Sequence, residues 1–273
     1  MSSQIKLIST DFDGTVHCEA EMPPIPKGLE EILAELQGEG AAWVINTGRD
    51  LPSLLNSLQA AGLAIRPDYV AVVEREIYQL HEQEYIAVDD WNDACSAQHE
   101  ELFARIRRDV PELARWVQKN FKAQVYEDSY SPFCLIADSV PDADAIQARL
   151  EEYCAQVPHL TVVRNHIYAR FSHVAYNKGT ALGEIARRLK LDASQVLAAG
   201  DHYNDLPMLD RQFAHALVAP SNSIPEVKDL VRQQGGHVSD KPWGHGVAEG
   251  IRHFSGKPAG VTSLRRARFG AEG

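Results

Sequence analysis

Short apolar runs alternate with helix-spaced apolar residues through the first part of the chain. Residues 5–10 are mostly apolar and β-prone and read as a buried strand. Leu29, Ile32, Leu33 and Leu36 then recur at the spacing of one helix face, and Gly38 and Gly40 supply a stop. Residues 41–45 form the next apolar strand. Leu51, Leu54, Leu55 and Leu58 give a second helix face that ends near Gly62, and residues 69–73 are a third strand. Strands alternating with helices at this spacing predict βαβ units and a parallel sheet.

The character changes after Val73. Residues 77–80 and 85–88 read as the arms of a hairpin, followed by a charged helical stretch over 91–108 and a shorter one after Pro111. Residues 122–126 and 133–137 read as strands, 141–157 as a helix opened by proline and acidic residues, and 160–163 with 167–171 as a closing hairpin. This order predicts an α+β unit inserted into the first domain. The βαβ rhythm resumes at Asn177-Lys178-Gly179, with a helix face at Leu182, Ile185, Ala186 and Leu189, then strands at 196–199 and 215–218. Helix faces follow at Ile224, Val227, Leu230 and Val231, and over 246–254. The expected fold class is α/β: a doubly wound, Rossmann-like parallel-sheet core over 1–73 and 174–256, with an inserted α+β domain over 74–173. Residues 257–273 hold glycines, a proline and three arginines with little apolar periodicity, and read as a disordered tail.

Composition narrows the class. Hydrophobic content of 44% and charged content of 24% are those of an ordinary globule. A net charge of −11 argues against a general nucleic-acid or anionic-membrane binder. It leaves room for an anionic small substrate, because a local cation can override the global field. The four cysteines are scattered with no C-x-x-C, which fits reduced thiols in the cytoplasm. No basic segment followed by an apolar stretch opens the chain, so no signal peptide is expected.

The chemistry gathers at strand ends. Asp11-Phe12-Asp13-Gly14-Thr15 follows the first strand, and its two carboxylates, two residues apart, repel each other. A bound Mg²⁺ would explain the pair, since it is hard and takes carboxylate and phosphate oxygens. Taken alone, a solvated acidic turn explains it equally well. Thr47-Gly48, and Asp201 with Asp205, also follow strands at their carboxyl ends, and Lys178 opens a helix on the same side. In a parallel sheet these positions converge on one crevice. Together they hold a carboxylate nucleophile, a second acid, a hydroxyl, a cation and spare carboxylates, an inventory suited to a phosphoryl group.

These four segments, in this order, resemble the four motifs of the haloacid-dehalogenase (HAD) superfamily phosphatases. They are Asp11-Phe12-Asp13-Gly14-Thr15, Asn46-Thr47-Gly48-Arg49, Asn177-Lys178-Gly179 and Gly200-Asp201-His202-Tyr203-Asn204-Asp205. A large insert between the second and third resembles the cap of subgroup IIB, the Cof-type and sucrose-phosphate-phosphatase-like proteins. The stretch from Ser221 to Lys228 also resembles that subgroup. One departure stands out: Glu74-Arg75-Glu76 occupies the place where the subgroup usually has an Asn-Gly-Ala type segment.

The resemblance implies roles. Asp11 is the expected nucleophile and Asp13 the general acid and then base. Backbone N–H groups of Phe12 and Asp13, the Thr47 hydroxyl, the Gly48 N–H, Lys178 and Asn204 are expected at the substrate phosphate. The expected Mg²⁺ site combines Asp11, Asp13 through its carbonyl, Asp201 and Asp205, with Asp205 orienting the others. The implied activity is hydrolysis of small phosphorylated metabolites, sugar phosphates first, through an aspartyl-phosphate. The partner is then a small phosphorylated metabolite, with no nucleic acid or membrane, and the protein a cytoplasmic monomer or homodimer. Two alternatives share the same residues: a phosphotransferase or mutase that excludes water from the intermediate, and a phosphometabolite-binding regulator without turnover.

Overall fold

The computed structural model describes residues 4–257. The tail expected at 257–273 lies outside them from residue 258 onward. The first half of the core runs β1 (Leu7–Thr10), α1 (Lys27–Gly38), β2 (Ala42–Asn46), α2 (Leu51–Ala61) and β3 (Tyr69–Val72). An antiparallel pair follows, β4 (Glu76–His81) and β5 (Glu84–Ala87). The insert continues with α3 (Asp89–Ile106), α4 (Val110–Asn120), β6 (Ala123–Tyr126), β7 (Cys134–Ala137), α5 (Val140–Cys154), β8 (Leu160–Asn165) and β9 (Tyr168–His173). The chain returns through α6 (Lys178–Arg188), β10 (Val196–Ala199), β11 (Ala216–Ala219), α7 (Pro225–Gln233), β12 (His237–Val238) and α8 (Trp243–Ser255).

The large sheet has eight strands in the order β12-β11-β10-β1-β2-β3-β4-β5. All neighbours from β12 to β3 are parallel, and β3, β4 and β5 pair antiparallel. The chain steps from β1 to β2 and β3 on one side, then returns on the other side through β10. The reversal at β1 opens a crevice beyond the carboxyl ends of β1, β2 and β10, where such sheets bind ligands. The sheet is buried on both faces, which is why its strands read as continuous apolar runs. Ile8, Trp43, Ile45, Val70 and Leu197 pack with the apolar stripe of α1 and with α8 on one face. Leu7, Val44, Tyr69, Ala71, Val196 and Ala198 pack with α6 and α7 on the other. Alternate residues of each strand thus serve opposite layers.

The first hairpin of the insert extends the large sheet. β4 pairs with β3 from Tyr69 opposite Gln79 to Val72 opposite Glu76, because only the turn Val73–Arg75 separates them. The rest of the insert forms a separate sheet in the order β6-β7-β9-β8, all antiparallel. Leu102, Ile106, Leu113, Val117, Ile146 and Leu150 of α3, α4 and α5 bury one of its faces, against Phe133, Leu135, Ala169 and Phe171. The other face carries a row in register across the four strands: Tyr126, Cys134, Arg170 and Val163. Among the described residues, no helix is long and apolar enough to cross a membrane.

Candidate active site

The loop after β1 is wound tightly. The Asp11 N–H donates to Ala199 O at 2.9 Å, and the N–H groups of Val16 and His17 both converge on Phe12 O. Gly14 has φ +79°, and a Cβ there would fall 2.6 Å from Asp201 Oδ2. The turn therefore needs glycine for its conformation and for the carboxylate lying against it. Thr15 Oγ1 donates to Asp201 Oδ1 at 2.6 Å, tying the first loop to the one after β10.

Lys178 links the carboxylates. It is the first residue of α6, behind the N-cap Asn177, whose side chain accepts from Gly179 N and Thr180 N. Its Nζ lies 2.6 Å from Asp11 Oδ1 and 2.6 Å from Asp205 Oδ1, fully buried. Burial opposes its charge, but the charges of Asp11 and Asp205 outweigh that and hold it protonated. Burial pushes the Asp11 carboxyl well above its ordinary range, and Lys178 opposes this. Asp205 turns its second oxygen on the loop before it, accepting from Asp201 N at 2.8 Å and His202 N at 2.9 Å. A Cβ at Gly200 would collide with the Asp205 side chain, so the Gly-Asp pair is one packed unit.

The residues suit a hard cation. Asp11, Asp201 and Asp205 each offer a carboxylate oxygen within 4.8 Å of the others. Burial, and then the charge of Asp205, push Asp201 up to about 7. Like charges crowded in a buried, all-oxygen set are what a hard divalent cation relieves. The Asp13 side chain points elsewhere, into a two-point pair with Arg49: Nε to Oδ2 at 2.6 Å and Nη2 to Oδ1 at 2.7 Å. Burial pushes Asp13 up, but the hydrogen bonds from His17 and Arg49 and the Arg49 charge bring it down to about 2.

Thr47 and Gly48 follow β2. Thr47 is buried, its N–H donates to Ala71 O at 2.8 Å, and its Oγ1 accepts from Arg49 N at 3.2 Å. The N-cap of α2 is Asp50, which accepts from Ser53 N at 2.8 Å, so Thr47 is spared that task. Asn204 is buried, and its Nδ2 donates to Glu74 Oε1 at 2.8 Å. Phe12 is fully buried and stacked on His17 at 4.6 Å.

A cavity of about 410 Å³ joins the two sheets, with Asp11, Asp13, Thr47, Gly48, Arg49 and Glu74 on the core side. Tyr126, Asn165, Tyr168 and Arg170 line it from the insert. Arg170 Nη2 donates to Gly48 O at 3.4 Å. A second bridge joins the β8–β9 turn to the loop after β10. There His166 N donates to His202 Nδ1 at 3.2 Å, and the Arg164 guanidinium sits 5.5 Å from the Tyr203 ring.

The predicted residues Asp11, Lys178, Asp201 and Asp205 thus meet, with Thr47 and Gly48 lining the cavity and Asn204 joined to it through Glu74. The structure adds Arg49, Glu74 and Arg170. Arg49 stood inside a recognised motif, where its pairing with Asp13 was unreadable. Glu74 was visible as a departure from the subgroup pattern. Arg170 sits in an insert whose sequence carries no motif. His202 and Tyr203, inside the fourth motif, carry a second contact between the insert and the core.

Comparison with known proteins finds relatives along almost the whole of the described chain. The family described as sucrose-6F-phosphate phosphohydrolase matches residues 4–255. The 5-amino-6-(5-phospho-D-ribitylamino)uracil phosphatase of Bacillus subtilis is 23% identical over 256 residues, 92% of this chain and 96% of that protein. The glucosylglycerol-phosphate synthase of Pseudomonas anguilliseptica is 30% identical over 258 residues, 91% of this chain but 30% of the synthase. The solved sucrose-phosphatase of Synechocystis sp. PCC6803, in complex with sucrose and phosphate, superposes with a TM-score of 0.69 at 20% identity, covering 92% and 98% of the two chains.

Proposed function

Because the chain belongs to the sucrose-6F-phosphate phosphohydrolase family of HAD phosphatases, we propose that it hydrolyses sugar phosphates with Mg²⁺ through an aspartyl-phosphate. Membership makes it a phosphoric monoester hydrolase; the metal, the intermediate and the substrate class are the finer reading. The observation that carries it is buried Lys178 held 2.6 Å from both Asp11 and Asp205. A fully buried lysine between two carboxylates is costly in desolvation. It is well placed to offset charge on a phosphoryl group attached to Asp11.

In this reading an Asp11 carboxylate oxygen attacks phosphorus, the ester O–P bond breaks, and Asp13 donates a proton to the departing oxygen. Asp13 then takes a proton from water as the water oxygen attacks phosphorus, releasing phosphate and freeing Asp11. Proton donation requires the Asp13–Arg49 pair to open and Asp13 to take up a proton from water before the ester bond breaks; a phosphoryl oxygen competing for the guanidinium would open the pair. Thr47 Oγ1 and the Gly48 N–H orient the phosphoryl oxygens. Asp11 and Asp201, with the Asp13 carbonyl, would hold Mg²⁺, and Asp205 would orient them. Bound there, Mg²⁺ supplies positive charge to the phosphoryl oxygens.

Substrate class rests on the relatives and the cavity. Sucrose, glucosylglycerol and ribitylamino groups in their names are all polyhydroxylated, and about 410 Å³ admits a sugar phosphate. The test is phosphate release from a panel of sugar, polyol, acidic and aryl esters, with Mg²⁺ and in EDTA. The proposal predicts Mg²⁺-dependent release, highest on hydroxylated esters. Full activity in EDTA, or transfer without free phosphate, would refute it.

A further inference from the structure

The turn that leaves β3 carries a carboxylate into the cavity. Val73 and Glu74 have φ of 44° and 66°, a conformation that non-glycine residues avoid and β-branched valine most of all. The turn is pinned on both sides, with Val73 N–H donating to Arg49 O at 2.8 Å and Glu74 N–H to Thr47 O at 2.9 Å. Backbone held in such a region is a mark of functional sites. The result is a buried Glu74 side chain lining the cavity beside Gly48.

The Glu74 carboxylate is only half used. Oε1 accepts from Asn204 Nδ2 at 2.8 Å. Among the described residues, no protein group donates to Oε2 and no cation lies within ion-pair distance of Glu74. The site's cations Lys178 and Arg49 are committed to Asp11 and Asp205 and to Asp13. Across the cavity stands Arg170, whose Nη1 pairs with Asp128 Oδ2 at 4.0 Å and whose Nη2 donates to Gly48 O at 3.4 Å. The cavity thus presents a half-used carboxylate on one wall and, on the other, a guanidinium already shared between Asp128 and Gly48 O. A hydroxylated leaving group answers both, since each hydroxyl donates and accepts. A leaving group with a carboxylate near the ester satisfies Arg170 but faces Glu74 charge to charge.

We infer that Glu74 is a specificity-determining residue that selects leaving groups by charge, accepting a hydroxyl near the phosphoester and rejecting a carboxylate there. The inference rests on the phosphatase reading above and deepens it. Discrimination of this kind uses repulsion against the wrong ligand as well as attraction to the right one. A purely structural role, holding Asn204, would be met equally well by glutamine, whose carbonyl accepts the same hydrogen bond.

The test uses two esters of equal length, 2-hydroxyethyl phosphate and phosphoglycolate. Each is read as a substrate and as a competitive inhibitor of p-nitrophenyl phosphate hydrolysis. The wild type should favour the hydroxyl ester by roughly tenfold or more in kcat/KM and in Ki. In Glu74→Gln the preference should shrink to within about threefold, mainly through tighter phosphoglycolate binding. Glu74→Gly, whose backbone suits the turn, should shrink it likewise. Wild-type hydrolysis of p-nitrophenyl phosphate with no preference between the pair, or a preference unmoved in both variants, overturns the inference alone. No hydrolysis of p-nitrophenyl phosphate with any divalent metal overturns the phosphatase reading and this inference with it.

Discussion

The two sheets build one cavity by different means. The large sheet contributes through loops at the carboxyl ends of its strands, so each functional group lies within a few residues of a strand end: Asp11 after β1, Thr47 after β2, Asp201 after β10. The small sheet contributes through one of its faces. Its row Tyr126, Cys134, Val163 and Arg170 is assembled from four strands, and the residues are far apart in sequence. A strand-end loop can be kept as a short contiguous motif. A sheet face keeps only alternation, and its side chains are free to change with the ligand. In the proposed reaction, bond-breaking falls to the strand-end loops of the core, and leaving-group choice to Glu74 at the entry to the insert together with the face of the small sheet.

The largest effects should fall on the core. Asp11→Asn keeps the shape but removes the nucleophile, and should cost at least about a thousandfold in kcat, or about 4 kcal/mol in barrier. A loss below tenfold, measured on folded protein by phosphate release, would break the assignment. Lys178→Met should be nearly as damaging to the rate and worse for the fold. It leaves Asp11 and Asp205 buried without their shared cation, a change that costs about 3–5 kcal/mol. A denaturant midpoint unchanged from the wild type would show that the carboxylates find other partners.

What the sequence disclosed follows the same division. Apolar runs 5–10, 41–45, 69–73 and 196–199 correspond to β1, β2, β3 and β10, because strands buried on both faces admit little else. The convergence of Asp11, Lys178, Asp201 and Asp205 was legible because parallel topology puts strand ends on one edge. β12 was not, since two residues, His237 and Val238, carry no period. The assignment of β4 and β5 to the large sheet was also hidden, because hairpin patterning does not say which sheet a hairpin joins. Nor could the chain reveal that Glu74, in a left-handed turn, faces the cavity. Arg170 reads as one alternating residue among many, and only the register of β7, β9 and β8 places it.

Intermediate effects should come from the insert. Arg170→Ala removes a donor from the cavity wall and a contact to Gly48 O. It should lower kcat/KM for hydroxylated esters by about ten- to hundredfold, and for p-nitrophenyl phosphate by less than about fivefold. Equal losses on both esters would mean that Arg170 serves the closure of the insert over the core rather than recognition, and the division drawn here would blur.

The smallest effects separate the two regions by their response to acid. His99 of α3 is buried where the insert approaches its return to the core. Its Nδ1 lies 2.8 Å from Cys95 O, which can only accept, and its Nε2 accepts from His173 N at 3.1 Å, which can only donate. The ring is therefore neutral, with its proton on Nδ1; a second proton would have to turn from the His173 N–H to Ser172 Oγ, 3.2 Å from Nε2, inside a buried site. Burial pushes His99 down to about 3 from its ordinary 6.5. A histidine depressed on folding gives stability that is whole above about 6.5 and is lost as pH falls towards 3, up to about 1.4 kcal/mol per unit. Asp201 has the opposite sign: raised to about 7, its contribution is whole below about 3.9 and is lost as pH rises through 7. In metal-free protein, lowering pH from 7 to 5 should loosen α3 and β9, by up to about 2 kcal/mol, while the loops after β1 and β10 tighten. Hydrogen exchange corrected for intrinsic rates reads both regions at once. His99→Gln should remove most of the acid response of α3, leave in β9 the share due to His173, whose pKa burial also lowers, and leave that of the core loops. If the two regions moved together in the wild type, or α3 kept its acid response in the variant, His99 would not be the group that distinguishes them.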